Sequence, residues 1–551
     1  GRGDQLAMRF IAKDGTRRDY RYVDLAGESM RIAAVLADLG VEPSERVFIL
    51  AGRIPATYLT ILGALRRRAV VCPLFSAFGP EPIKQRLQLG GAVVLATTAA
   101  LYRRKVAPII DEVPSLRHVL IIDDGEAPER TSSLGELLAE VDSSIGAETD
   151  PVIELDVGAT HPEDPALLHF TSGTTGTPKG ALHVHGAVRS HLDSAREVFG
   201  LEPSEVYWCT ADPGWVTGTS YGIVAPLACG AQMIIDEAEF EAERWYRILQ
   251  DERVAVWYTA PTAIRMLMKS GDELPSRFDL SALRRALSVG EPLDAEAVIW
   301  GGEVLGRQIC DTWWQTETGS IMIASTPEIG IQPGSMGKPV PWITAGLLRC
   351  DDEGELIFDD QGAVIEITQP DEVGVLALRT PWPSMFRAYL GDEERYRACF
   401  VGGWYVAGDL ARRDSGGYYW FIGRADDVIK TAGHLIGPFE VEQVLMEHPD
   451  VVQAGVYGVP DEMAGAVIHA RIVLRPGVEE SEALMTEVLA NARRRLGPAV
   501  APREINVIET LPITRSGKVM RRLLRARELG LPEGDLSTLE TDPTSPEADD
   551  D

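Results

Sequence analysis

Lysine is scarce in this chain. Of 53 basic side chains only eight are lysines (Lys13, Lys84, Lys105, Lys179, Lys269, Lys338, Lys430 and Lys518), against 83 acidic ones, and the formal net charge is −30. A field of that sign repels nucleic acid and anionic membranes, which excludes both as general partners. It repels nucleotides too, so a nucleotide site has to supply local donors and a metal. An acidic, lysine-poor surface also fits adaptation to high salt, in which case activity holds as KCl rises toward molar levels. The six cysteines (Cys72, Cys209, Cys229, Cys310, Cys350 and Cys399) are scattered with no CxxC pair. That argues against a zinc site or a disulfide framework and fits a reducing cytoplasm. No apolar run reaches membrane-spanning length, no signal-peptide pattern occurs, and no segment repeats. The chain opens on Gly1, not Met, and runs almost at once into strand-like sequence, so an incomplete N-terminus is expected.

What is present describes an ordinary globular protein, 45% hydrophobic and 25% charged. At 551 residues it is too long for one compact core. Short apolar runs such as "RVFILAG" (46–52), "AVVCPLF" (69–75), "ALLHFTS" (166–172) and "AVWYTAP" (255–261) alternate with helix-like segments. This rhythm predicts an α/β fold of largely parallel sheets covered by helices. Between 345 and 425 strands shorten and Gly/Pro turns thicken, predicting a β-rich subdomain. After "GRADD" (423–427) the pattern becomes that of a compact α+β module, with helices at 438–449 and 481–497. The expected division is a large domain over 1–425, a small C-terminal domain over 426–532, and an acidic tail, 533–551.

The segment "FTSGTTGTPKG" (170–180) follows a buried-looking strand and precedes a helix candidate, "GAVRSHLDSAREVFG". Consecutive N–H groups and hydroxyls there form an anion nest suited to phosphate. It is not a P-loop, which needs Lys followed by Ser or Thr, whereas Lys179 precedes Gly180.

This segment resembles the signature loop of the adenylate-forming superfamily of acyl-CoA synthetases, luciferases and peptide-synthetase adenylation domains. "SVGEP" (288–292), "DTWWQTETG" (311–319), "GWYVAGD" (403–409) with "GRADDVIKTAG" (423–433), and "LPITRSGKVMRR" (511–522) agree in order and spacing. "WCTADPGWVTGTSYG" (208–222) together with "DTWWQTETG" resembles the acetyl-CoA synthetase branch. The resemblance implies ATP and coenzyme A as substrates, with Mg²⁺ on the nucleotide. It implies that Thr171, Ser172, Gly173, Thr174, Thr175, Gly176 and Lys179 hold the β- and γ-phosphates, while Glu317 positions the Mg²⁺. Gly290, Glu291 and Pro292, with Asp311, Thr312, Trp313, Trp314, Gln315 and Thr316, match the adenine and α-phosphate segments. Asp409 matches the residue that bonds both ribose hydroxyls, assisted by Arg424.

Lys518 matches the lysine that reaches between carboxylate and α-phosphate during adenylation, which makes it catalytic together with Glu317. The same resemblance makes it a target for a lysine acetyltransferase and deacetylase. Rotation about Asp426 is implied to withdraw Lys518 and build a pantetheine tunnel, with Thr217, Ala432, Gly433 and Arg493 toward coenzyme A. Met446, His448 and Val451 match a cation-binding turn. Val216, Thr217, Val289 and Trp314 match the acyl pocket, the tryptophan closing it just beyond a methyl group, which favours acetate. One departure stands out: in "GHLIG", Leu435 occupies the place of the family's arginine. Leu435→Arg is therefore expected to raise the rate of ATP–pyrophosphate exchange. Rival readings are a propionyl- or other short-chain acyl-CoA synthetase, an enzyme that loads a carrier protein, and a non-catalytic nucleotide-binding relative. Oligomeric state is not legible in the sequence.

Overall fold

The computed structural model describes residues 2–145, 159–171, 178–351, 354–425, 427, 429–431, 434–461, 465–497, 500–514, 518–533, 536 and 539. The chain separates into two compact units: one formed by Gly1–Pro341 with Pro381–Arg397, the other by Trp342–Thr380 with Ala398–Asp551.

The first unit contains two large sheets. In the nine-stranded sheet, Leu6–Ile11, Gln232–Asp236, Val206–Cys209, Val256–Thr259, Arg285–Val289 and Ile309–Trp313 lie side by side in parallel. Antiparallel strands close both edges. Val256–Thr259 and Arg285–Val289 are buried along their whole length, as expected of parallel strands with helices on both faces. Trp208, Trp245, Trp257 and Trp300 share one core with Ile264 and Leu267, and each such aliphatic side chain contributes about 1.5–3 kcal/mol on burial. The eight-stranded sheet orders Ala388–Tyr389, Lys179–Val184, Pro165–Thr171, Val70–Leu74, Arg46–Leu50, Ala92–Thr97, His118–Ile121 and Ser132–Ser133. The apolar runs read as strands are strands, and the sheets are largely parallel.

The helix candidate after the signature segment forms as Val188–Glu197, and a strand not read from the sequence lies between the two. Pro165–Thr171 turns back into Lys179–Val184 as an antiparallel hairpin with Thr171 opposite Lys179, and the helix Val188–Glu197 begins only afterwards. "KGALHV" shows no two-residue alternation of burial, and its strand character comes from pairing on both sides, with Pro165–Thr171 and with Ala388–Tyr389. That second partner is how the segment 381–397 returns to the first unit.

The second unit holds an antiparallel sheet built around Val373–Arg379 and Trp404–Arg413. A further sheet centres on Gly465–Leu474, with helices Pro438–Met446, Glu482–Leu496 and Arg521–Leu529. Ser481 caps its helix by accepting from the Leu484 N–H, satisfying a donor that would otherwise have no partner. No helix among the described residues is long and apolar enough to cross a membrane.

Candidate active site

In an open parallel sheet, ligands bind beyond the carboxyl ends of the strands. In the nine-stranded sheet Gly290–Pro292 follow directly on Arg285–Val289 and Trp314–Thr316 on Ile309–Trp313, while Val216 and Thr217 open a short helix beyond the end of Val206–Cys209. Trp314 is held from two directions. Its indole Nε1–H donates to the Tyr258 hydroxyl at 3.2 Å. Thr312 gives its single proton to the Ser288 carbonyl at 2.7 Å, so across the 2.8 Å contact with Thr312 Oγ1 it is Tyr258 that donates. Burial pushes the Tyr258 phenol well above its ordinary range, so it stays a neutral donor. The ring of Tyr221 meets Trp314 edge to face, centroids 5.1 Å apart. Tyr221 is itself fixed, accepting from the Ile321 N–H at 2.8 Å and sharing a 2.7 Å bond with Ser194. A tryptophan constrained by a hydrogen bond and an orthogonal aromatic contact makes a stiff wall.

Beyond Trp314 the chain makes the tight turn 315–319. Thr318 Oγ1 accepts from the Gln315 N–H at 2.9 Å, and Gly319 takes φ +72°. A Cβ on Gly319 would fall 2.2 Å from the Ser384 carbonyl oxygen, so only glycine fits. The segment 382–389 braces this turn: Trp382 Nε1–H and Ser384 Oγ–H donate to the Thr318 carbonyl at 2.9 and 2.8 Å. The Phe386 N–H donates to the Glu317 carbonyl at 2.9 Å. The Tyr389 hydroxyl donates to Glu317 Oε1 at 2.7 Å, and the Lys179 ammonium lies 5.4 Å from the centroid of the same tyrosine ring. Lys179, Tyr389 and Glu317 therefore form one group within the first unit. Of the signature loop, Thr171 and Lys179 are placed at the hairpin mouth, while Ser172, Gly173, Thr174, Thr175 and Gly176 lie outside the described residues.

Three buried histidines sit behind the turn. His191 Nε2–H donates to the Gly319 carbonyl at 2.7 Å and His183 Nδ1–H to that of Ser384 at 3.2 Å. Burial pulls His169 down to about 3, and His183 and His191 to about 4. All three are therefore neutral, each a donor at one nitrogen only.

The predicted adenine segment divides its labour. Gly290, at φ +95°, turns the chain sharply away from its strand. The Glu291 carboxylate is engaged by Arg265 at 2.8 Å and by Thr262 at 2.7 Å. Asp311 is 6% exposed and accepts from the Thr312 N–H at 2.9 Å. Burial pushes its carboxyl up to about 7. Val289 is buried at the end of its strand.

In the second unit Asp409 and Arg424 face each other across an antiparallel pair, with Arg424 Nη1 donating to Asp409 Oδ1 at 3.0 Å. Lys518 is exposed, at the close of a turn in which its N–H donates to Thr514 Oγ1 at 3.0 Å. Arg493 is exposed on the helix Glu482–Leu496. Met446, His448 and Val451 lie together on one turn, where the Val451 N–H donates to the His448 carbonyl at 2.9 Å. Asp426, Ala432 and Gly433 lie outside the described residues. Leu435 pairs with Lys430 across the hairpin Ile429–Thr431/His434–Ile436.

Sequence reasoning missed Tyr389, Tyr258, Tyr221, Arg265 and the buried histidines. Tyr389 sits in a two-residue strand, too short for any periodic signal, and its partner Glu317 is 72 positions away.

Residues 1–390 match the family profile described as AMP-binding enzyme, and residues 440–518 match the AMP-binding enzyme C-terminal domain. The chain belongs to the AMP-binding enzyme family of adenylate-forming ligases. Among its relatives is the acetyl-coenzyme A synthetase of Bacillus subtilis, 45% identical over 96% of this chain and 88% of that protein. The acetyl-coenzyme A synthetase of Deinococcus radiodurans is 39% identical over 99% of this chain and 84% of its own length. A Brucella canis acyl-CoA synthetase structure matches at 33% identity and TM-score 0.70, over 96% of this chain and 92% of that one. An anthranilate CoA ligase solved with anthranoyl-AMP matches at 26% identity and TM-score 0.82, over 97% and 95% of the two chains.

Proposed function

We propose that this chain is an AMP-forming acetate–CoA ligase. A carboxylate oxygen of acetate attacks the α-phosphorus of ATP, diphosphate leaves, and acetyl-AMP forms. The coenzyme A thiol then attacks the acyl carbonyl, its proton is lost, and AMP leaves, giving acetyl-CoA. The observation that carries the choice of acid is Trp314, locked by Tyr258 and Tyr221 at the strand ends, where a rigid indole limits the space beyond a methyl group.

Glu317 suits a magnesium ion carried by the nucleotide: it is a carboxylate oriented by Tyr389 beside a lysine, and Mg²⁺ takes few protein oxygens when phosphates supply the rest. When bound, the ion neutralises phosphate charge. The chain's own residues do the remainder on this reading. The loop 171–176 and Lys179 hold the phosphates, Asp409 and Arg424 the ribose. Lys518 places its ammonium between carboxylate and α-phosphate as charge shifts, an effect worth about 10²–10³ in rate. Asp426 is the hinge between a large domain (1–425) and a small one (426–532). Thr217, Ala432, Gly433 and Arg493 serve coenzyme A, and the turn of Met446, His448 and Val451 binds a cation. A lysine acetyltransferase acting on Lys518 would cancel its charge and silence the first half-reaction. Six scattered cysteines with no CxxC pair fit a cytoplasmic location.

A coupled assay across acids of increasing chain length, with coenzyme A as acceptor, tests the proposal. Acetate should show the highest kcat/KM, with propionate lower by about 10–200-fold, the range one methylene allows. A preference for propionate would move the assignment to a propionyl-CoA synthetase. Activity only with a carrier-protein thiol would overturn it.

A further inference from the structure

One face of the sheet in the second unit gathers polar groups that no step above uses. Tyr457 of strand Val451–Asp461 stands opposite His469 of strand Gly465–Leu474, and the parallel edge strand Glu504–Val507 puts Glu504 opposite His469 on the other side. Arg471, two residues on, shares the face of His469. Helix Arg521–Leu529 adds Glu528. The His469 imidazole, Glu504 and Glu528 each bring one ligand-capable atom within 4.8 Å of the others. His469 Nδ1 lies 3.4 Å from Glu528 Oε1 and 3.9 Å from Glu504 Oε2.

Three features separate this group from a chance acidic patch. His469 is 9% exposed, and among the described residues its buried Nδ1 makes no hydrogen bond despite the neighbouring carboxylates. Buried polar atoms are rarely left so, and a ring nitrogen close to two carboxylates stands where a cation would satisfy all three groups. The two oxygens of Glu528 are divided in role. Oε2 accepts from Arg471 and, at 3.2 Å, from the Tyr457 hydroxyl, while Oε1 faces His469. Outer hydrogen bonds of that kind orient a metal-binding carboxylate. Ligand atoms about 2.1 Å from a tetrahedral ion stand about 3.4 Å apart, which the 3.4 Å between His469 and Glu528 matches, while the exposed Glu504 at 3.9 Å needs a small inward shift.

We propose that His469, Glu504 and Glu528 form a binding site for a divalent first-row transition metal of the zinc type. One imidazole nitrogen with two carboxylate oxygens suits zinc, whereas calcium and magnesium favour oxygen alone. The scattered cysteines gave no sign of such a site because none of them takes part. Glu504 is half exposed, so the fourth position faces water. The bound ion ties the edge strand and the helix after Lys518 to the central strand, and it acts as a structural clamp independent of the ligase reaction.

The test uses the full-length chain, stripped with EDTA and free of nucleotide. Zn²⁺ is titrated by calorimetry and Co²⁺ by visible absorption, with melting temperature read alongside. One equivalent should bind, give the absorption of four-coordinate cobalt, and raise the melting temperature as metal exceeds Kd. Glu504→Gln and His469→Gln should each weaken binding at least about tenfold. Glu504 is exposed, so its variant keeps the fold and the assay stays decisive if His469→Gln proves unstable. Binding left unchanged by both variants would place the ion elsewhere and overturn the site. No binding at millimolar Zn²⁺ would do the same.

Discussion

The hydroxyl of Tyr389 donates a 2.7 Å hydrogen bond to Glu317 Oε1, while the ring of the same tyrosine faces the ammonium of Lys179. One residue thus couples the acidic side chain proposed to position magnesium to the lysine proposed to hold phosphate. A hydrogen bond to a charged group contributes about 1.5–3 kcal/mol. Tyr389→Phe should therefore lower kcat/KM for ATP by roughly 10–100-fold, with KM for coenzyme A unchanged. Tyr389→Ala, which also removes the ring beside Lys179, should cost more. Equal ATP kinetics in Tyr389→Phe and the parent would show that the bond does not orient Glu317.

Trp314 makes the second prediction. Trp314→Gly removes the wall that Tyr258 and Tyr221 hold in place, and longer acids should then be activated in pyrophosphate exchange. Acetate itself should lose at least about tenfold in kcat/KM as its packing disappears. Tyr258→Phe is a finer probe. It keeps the ring but removes both the acceptor for the indole N–H and the bond to Thr312. Its selectivity for acetate over propionate should soften without reversing. A chain-length profile of Trp314→Gly identical to the parent's would refute the wall.

Lys518→Gln removes the charge as acetylation would. Adenylation, read as acetate-dependent pyrophosphate exchange, should fall about 10²–10³-fold. Transfer from supplied acetyl-AMP to coenzyme A should be nearly unaffected, because the proposed role of Lys518 is confined to the first half-reaction. Loss of both half-reactions together would point to a structural role.

Acid stability follows from the buried histidines. Their folded values of about 3, 4 and 4 lie below the ordinary 6.5. Between pH 6.5 and about 4 the unfolded chain therefore binds more protons than the folded one, and stability falls as pH falls. Asp311 works the other way. Its folded value of about 7 lies above the ordinary 3.8, so the folded chain binds more protons in that window and gains stability as pH falls. Asp212, which burial pushes up to about 6, works the same way as Asp311. Three groups outweigh two, and the melting temperature should drop by about 2–5 °C from pH 7 to pH 5. Asp311→Asn should raise the melting temperature at pH 8 and make the acid drop steeper. A variant with the parent's pH profile would show that Asp311 titrates normally.

Much of the architecture was legible because it follows from local pattern. "RVFILAG" (46–52) is a strand in sequence and in space, and the helix expected over 481–497 forms as Glu482–Leu496. Where the pattern was weak, pairing decided. "KGALHV" became a strand only because Pro165–Thr171 and Ala388–Tyr389 flank it. Glu291 was legible as part of a nucleotide motif, yet its carboxylate belongs to Arg265, a partner 26 positions earlier that no motif marks.

By itself the sequence determined the family and the order of its motif segments along the chain, since these depend on residue type at short spacing. Only the tertiary structure decided what holds those side chains still. Trp314 is braced by a tyrosine 56 positions away, Glu317 by one 72 positions away, and His469 faces carboxylates from two other elements. The physical reason is that a hydrogen bond or an aromatic contact depends on distance and angle in space. Two-residue strands and side chains that meet across a sheet leave no periodic trace along the chain.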